Sequence, residues 1–165
     1  MKYEEFKISG EHILQEFNEL TKGYAFLIKA IPDHICYKCK TRKEFETIRN
    51  WYEKHGQWIY QTEISGRAIA TIKLREPFRC WMGEVWYLEL SDQKPDGSQE
   101  ESWDHMEVKH REDRYDELVD SAQNIGLDVI EKVRPHHTTH EVMLENSFKL
   151  VFTREMLGEK IKKEM

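Results

Sequence analysis

No run of apolar residues in this chain is long enough to cross a bilayer. The most apolar early stretch, YAFLIKAI, is broken by Lys29 and falls far short of the roughly 20 residues a spanning helix needs. The chain does not open with a charged segment leading into an apolar core, the pattern that directs secretion. A cytoplasmic protein without membrane contact is the expectation. Cysteine is scarce: the 165 residues contain three, an odd number that excludes a fully paired disulfide framework. An excess of positive charge is missing too. Lys and Arg total 25 against 31 Asp and Glu, for a formal net charge of -6. Nucleic-acid binding needs a basic footprint, so no nucleic-acid partner is expected. For the same reason Trp51, Trp58, Trp81, Trp86 and Trp103 read as core or rim packing rather than a base-stacking platform.

What is present is a charged surface over enough apolar material for a core. Apolar residues make up 39% and charged residues 34%, the balance of a globular domain. A chain of this length buries roughly 70% of the surface it exposes when unfolded. One domain, or two intimately packed halves, follows.

Apolar periodicity lays out the elements. Ile13, Leu14, Phe17, Leu20, Tyr24, Leu27 and Ile28 fall on one helical face, which predicts a helix over 9–30 with Ser9 as its N-cap and Pro32 just past its end. Strand-like residues follow at 34–40. Thr41 and Glu44 have capping-box spacing before a helix with Phe45, Ile48 and Tyr52 on its apolar face and Gly56 as its stop. Residues 58–64 and 67–74 form a predicted hairpin around Ser65-Gly66, Pro77 marks a break, and 84–91 is another strand. DQKPDGSQEES reads as a loop. The second half repeats the order: strand WDHMEVKH, helix REDRYDELVDSAQNIG, then strands near 127–133, 141–144 and 147–152. RPHHTTH reads as a solvated loop containing His136, His137 and His140, and a helix is predicted beyond Thr153.

The two halves match in more than order. Asp33-His34-Ile35-Cys36-Tyr37-Lys38 lies over Asp104-His105-Met106-Glu107-Val108-Lys109, with Asp, His and Lys at the same offsets. Phe45, Ile48, Tyr52 and Gly56 have the spacing of Tyr115, Leu118, Ala122 and Gly126. This describes a βαβββ unit occurring twice, related by a pseudo-two-fold axis. Strand alternation then places His34, Cys36 and Lys38 on one face, and His105, Glu107 and Lys109 on the matching face. The opposite, apolar face packs under the helices. Alternation also sends Cys36 and Cys39 to opposite faces, against a shared zinc site or a redox dithiol, which belongs at a helix start. A lone strand histidine is ordinarily a satisfied polar residue, but two at equivalent repeat positions point to a shared pocket.

These residues resemble the vicinal oxygen chelate superfamily of glyoxalase-like folds. DHICYKC, GRAIATIKLREP, WYLEL and WDHMEV bring the chain closer to its YecM-like family. The resemblance implies an α+β fold with three parts: a helical extension over 1–30, a duplicated domain over 31–153 with modules 33–91 and 104–152, and a C-terminal helix over 154–165. The two modules would form a curled, cup-shaped sheet that closes within one chain, so a monomer suffices and a homodimer is not required. It also implies a divalent metal, zinc, manganese, nickel or iron, held by His34, His105 and Glu89. The last strand of the second module, FKLVF, has no carboxylate; Val151 or Lys149 falls where one is expected. That departure counts against the superfamily's dioxygenase-like and fosfomycin-resistance branches. Glu107 is a reserve ligand or the group that moves protons. Lys38, Lys109 and Arg67 are candidates for holding a ligand. The implied function is an isomerase- or lyase-like enzyme acting on a small oxygen-rich molecule. The alternative is a non-catalytic protein binding a small ligand in the same cup without a metal.

Overall fold

The capping-box residue Thr41 starts a helix as its spacing predicts: its hydroxyl accepts the Glu44 backbone N–H at 3.0 Å, and Phe45, Ile48 and Tyr52 are buried beneath. The computed structural model describes residues 1–135 and 137–164. In chain order the elements are α1 (Tyr3–Thr21), a 3-10 turn (Ala25–Lys29), β1 (Ala30–Lys38), α2 (Arg42–His55), β2 (Gly56–Ile64), β3 (Arg67–Cys80), β4 (Gly83–Ser91), β5 (Ser102–His110), α3 (Tyr115–Asn124), β6 (Val129–Val133), β7 (Thr138–Met143), β8 (Lys149–Thr153) and α4 (Leu157–Glu164). Each half is therefore β-α-β-β-β.

The strands form one sheet in the order β2-β3-β4-β1-β5-β8-β7-β6. β1 and β5 are antiparallel at its centre. Each is flanked on its outer side by the last strand of its own module, running parallel: β4 beside β1 and β8 beside β5. The halves thus reflect each other across the β1/β5 ladder. The sheet is curled and open, with β2 and β6 as its edges. Ile35, Leu88, Leu90, Met106, Val108, Leu150 and Phe152 project from one face into a core shared with Phe6, Leu14, Phe17, Phe45 and Leu118 of the helices. Burial of this face fixes the register, since a one-residue slip would turn every one of these side chains outward.

Several boundaries differ from the sequence reading. α1 ends at Thr21 and a 3-10 turn over Ala25–Lys29 leads into β1, so the predicted helix does not run to residue 30. α1 starts at Tyr3 rather than after Ser9, because Glu5 accepts the Lys2 backbone N–H at 3.2 Å and closes the first turn. Ser9 instead bonds back to the Phe6 carbonyl at 2.6 Å and accepts the Trp103 indole N–H at 2.9 Å. Pro32 lies within β1 rather than stopping a helix, next to a register break where its missing N–H is tolerated. β3 continues past Pro77 to Cys80, again across a register break, between Lys73 and Phe78.

Gly10 explains how closely α1 approaches the sheet. A Cβ there would meet Phe78 at 2.7 Å and Trp103 at 2.9 Å. Alanine would gain up to about 1 kcal/mol of helix propensity, but overpacking the buried Phe78 ring and the partly buried Trp103 ring costs ~1–3 kcal/mol. Gly10→Ala is therefore expected to lower the urea midpoint. An unchanged or raised midpoint would show that the rings have room to move.

Candidate metal centre

The register of the central strands decides which polar groups meet. His34 pairs with Glu107, and Cys36 with His105, across the β1/β5 ladder. On β4, Tyr87 lies opposite His34 and Glu89 opposite Cys36. On β8, Lys149 lies opposite His105 and Val151 opposite Glu107. Ladder partners share a face, so His34, Cys36, Glu89, His105 and Glu107 all stand on the concave side. The pseudo-two-fold axis passes between the two central pairs: it exchanges His34 with His105, and Cys36 with Glu107.

The recurring Asp-His dipeptide has a structural meaning that alternation conceals. On a regular strand an Asp and the following His point to opposite faces. Here the ladder shifts register between Pro32 and His34, and again between Cys36 and Tyr37, leaving Asp33 and Asp104 as the extra, bulged residues. A bulge re-aims a side chain. Asp33 Oδ2 lies 2.9 Å from His34 Nδ1, and Asp104 Oδ2 lies 2.7 Å from His105 Nδ1. Each carboxylate makes Nδ1 the donor and leaves Nε2 facing the cluster. The second duties of the two aspartates differ. Asp33, 1% exposed, accepts the Leu157 N–H at the start of α4 through both oxygens at 3.0 Å. Asp104 is paired with Lys38 at 2.9 Å and Lys149 at 3.4 Å.

The Nε2 atoms converge on the carboxylates. His34 Nε2 is 3.0 Å from Glu107 Oε2 and 3.9 Å from Glu89 Oε2, and His105 Nε2 is 3.5 Å from Glu107 Oε2. The two rings meet edge to face, with centroids 5.7 Å apart. The side chains of His105, Glu107 and Glu89 are 16%, 15% and 22% exposed, against 2% for His34. His34 Nε2 is nevertheless without a hydrogen-bond partner among the described residues. Its 3.0 Å contact with Glu107 is an ion pair when the ring is protonated. One donor atom each from His34, His105 and Glu107 lie within 4.8 Å of one another, as do donors from Cys36, Glu89 and His105.

The cluster is strongly polarised. Burial alone would depress His34, but the Glu107 charge and the Asp33 hydrogen bond push its imidazole well above the ordinary histidine range. His105 is likewise raised against its burial, by Asp104 and Glu107. Glu107 is held well below the usual carboxylate range despite burial, by the charges of both histidines and its contacts with them. Asp104 is lowered by His105 and Lys38, again against burial. Burial and the neighbouring Glu89 push the Cys36 thiol up.

The three basic side chains expected to hold a ligand all have protein partners. Lys38 is tied to Asp104 and Lys109 to Asp113. Arg67 is hydrogen-bonded to Gln99 at the start of β3, four residues before Thr71, the ladder partner of Glu89; that is about 13 Å along the strand. Of the histidine-rich stretch, His136 lies outside the described residues and His137 is in the loop. His140 is not in the loop: it belongs to β7, with its Nδ1 2.7 Å from the Tyr115 hydroxyl, because the strand begins at Thr138. Asp33 and Asp104 are the site residues to which sequence reasoning gave no role, and Lys149, weighed there only as the position of a missing carboxylate, pairs with Asp104.

Cys36 and Cys39 separate as alternation requires. Cys39 is fully buried in the core, and Cys36 stands on the cup face. Cys39→Ala is expected to lower stability by about 1 kcal/mol and leave metal stoichiometry unchanged, as measured by elemental analysis of the purified variant. A loss of bound metal would revive a Cys-x-x-Cys site.

Two βαβββ units joined through their first strands, with an open eight-stranded cup between them, make this a glyoxalase-like fold. A family model described as YecM protein matches residues 3–148, and the chain belongs to the YecM family. Protein YecM of Escherichia coli (strain K12) is 26% identical over 96 residues, which cover 58% of this chain and 51% of that protein; the chain spans about half the length of the curated relative it matches. A solved structure described as protein EC4020 superposes with a TM-score of 0.73 at 21% identity, covering 92% of this chain and 87% of that one. The fold also extends to a hydroxyglutarate synthase from Oryza sativa, with a TM-score of 0.55 at 8% identity over 91% of this chain and 80% of the other.

Proposed function

We propose that the chain holds one divalent metal at the centre of the cup, through His34, His105, Glu107 and Glu89, and acts with it on a small molecule bearing adjacent oxygens. The observation that carries this reading is His34 Nε2. It is buried, is ion-paired with Glu107 at 3.0 Å, and lies 3.9 Å from Glu89 with the His105 ring edge-on beside it. Imidazole and carboxylate donors packed this closely are the arrangement a divalent cation would bind in place of the protons. Two imidazoles and two carboxylates suit zinc, iron, manganese or nickel.

The register also accounts for the missing carboxylate of the second module. Val151 stands opposite Glu107 as Glu89 stands opposite Cys36, so Val151 and not Lys149 occupies the position equivalent to Glu89. Glu107, directly beside Val151 on the adjacent strand, offers a carboxylate from one strand further in. This favours Glu107 as a ligand over the proton-moving role expected from sequence. When bound, the metal would polarise a carbonyl or stabilise an enolate, chemistry that fits an isomerase- or lyase-like reaction. The protein's part is positional: Asp33 and Asp104 fix the ring orientations, and Glu89, the most exposed of the four, faces the open side of the cup.

A metal-free, anion-binding role is the second reading. A cavity of about 190 Å3 is lined by Lys109, His110, Asp113, Tyr115, Thr153 and Arg154. Lys109 and Thr153 are ladder partners, two residues along from Glu107 and Val151. A small carboxylate or phosphate would fit its two cationic side chains by displacing Asp113 from Lys109 and competing with Asp116 for Arg154.

Calorimetric titration with zinc, manganese, nickel and anaerobic ferrous iron separates the two readings. Asp104→Asn supplies the internal check. It leaves every proposed ligand in place but weakens the hold on His105 Nδ1, and is expected to cost about 10- to 100-fold in affinity. An unchanged affinity would place the metal away from His105.

A further inference from the structure

The thiol of Cys36 is 1% exposed, yet its neighbours on the cup face are not hydrocarbon. It sits directly across from His105 on one side and Glu89 on the other. Its sulfur, a Glu89 oxygen and a His105 nitrogen lie within 4.8 Å of one another. The pseudo-two-fold axis gives the placement its meaning. His34 faces Glu107 across the central ladder, and the symmetry-related His105 faces Cys36. The sulfur thus occupies, in one half of the cup, the position that a proposed ligand carboxylate occupies in the other. His34 Nε2, paired with Glu107, also lies 3.9 Å from Glu89 Oε2. It therefore borders both donor sets, which share His105.

We propose that Cys36 is a direct metal ligand whenever the metal is thiophilic. The centre then offers nitrogen, oxygen and sulfur, and selects zinc, cobalt(II) and ferrous iron over manganese and magnesium. This rests on the metal-binding reading above and goes beyond it. Thiolate favours the softer ions, whereas carboxylate and imidazole also accept manganese. Manganese would use His34, His105, Glu107 and Glu89, and zinc would recruit the sulfur. Cys39 faces the core and Cys80 belongs to the end of β3, so neither is part of this set.

The test is an anaerobic cobalt(II) titration of the full chain, without a histidine tag, followed by absorption spectroscopy. The wild type is expected to develop a near-ultraviolet thiolate-to-cobalt charge-transfer band together with visible ligand-field bands. Cys36→Ser is expected to keep the ligand-field bands and lose the charge-transfer band, while Cys80→Ser keeps both. In parallel, the preference for zinc over manganese is expected to fall by about tenfold in Cys36→Ser. Zinc X-ray absorption on the wild type and on Cys80→Ser needs no change at Cys36: a sulfur shell at about 2.3 Å is expected. Cobalt bound without a charge-transfer band, the band persisting in Cys36→Ser, or a purely nitrogen and oxygen zinc shell would each overturn the inference and leave the metal reading standing. Failure of the wild type to take up any cobalt or zinc would sink both.

Discussion

Replacing either His34 or His105 with Ala is expected to weaken metal binding by at least about 100-fold, more than loss of an outer-shell partner typically costs. Each change removes one of the two nitrogen donors, and no other described histidine stands beside the cluster to substitute. The fold survives in both, because the rings face the cup rather than the core. The stability costs differ, and the difference follows from the bulged aspartates. In His105→Ala, Asp104 keeps Lys38 and Lys149. In His34→Ala, Asp33 stays buried with only the Leu157 N–H to satisfy it. Leaving a buried polar group short of partners costs ~1–3 kcal/mol, so His34→Ala is expected to show the larger drop in denaturation midpoint. Titration calorimetry gives the affinities, and circular dichroism with urea gives the midpoints. Equal metal binding in wild type and both variants would remove the cluster from the account.

Metal-free and metal-loaded protein are expected to respond to pH in opposite directions. In the metal-free chain His34 and His105 are raised above the usual imidazole range, chiefly by Glu107 and the bulged aspartates acting against burial. A raised imidazole contributes stability that is fully present below its unfolded value, roughly 6.5, and is lost as pH climbs through the folded value. Glu107 is depressed by the same histidines. Its contribution is present above the unfolded carboxylate value and is lost only as pH falls through the folded one. Metal ligation requires neutral imidazoles, so affinity rises as these raised groups lose their protons, above the range of a free histidine. The melting temperatures of the two forms are thus expected to separate progressively from neutral to mildly alkaline pH. Calorimetry in buffers of different ionisation enthalpy is expected to show proton release on binding. A gap that narrows with rising pH, or binding without proton release, would mean that the histidines are not displaced from their carboxylates by metal.

Much of this arrangement was legible because strand alternation is strict. His34, Cys36, His105 and Glu107 were placed on one face by counting in twos, and the buried partners Ile35, Tyr37, Met106 and Val108 confirm which face is which. The duplication was legible because Asp, His and Lys recur at fixed offsets. Two things were not. A bulge breaks alternation with no marker in local composition, so the roles of Asp33 and Asp104 were hidden even though the dipeptide was visible. Register between strands far apart in sequence was also beyond pattern reading. Only the ladder shows that Glu107 faces His34, that Cys36 faces both His105 and Glu89, and that Val151 is the counterpart of Glu89. The N-terminal helix was misplaced for a related reason. Its closeness to the sheet rests on Gly10, a poor helix former that tertiary packing against Phe78 and Trp103 retains.

The central claim is that the cup holds a metal through donors from both halves of the chain. Titration of the tag-free, metal-stripped wild type with zinc, manganese, nickel and anaerobic ferrous iron tests it most directly. The account requires one ion per chain, bound by at least one of these metals with a Kd below about 0.1 mM. If none of them binds more tightly than about 0.1 mM, worth only ~5.5 kcal/mol, the cup is not a metal centre.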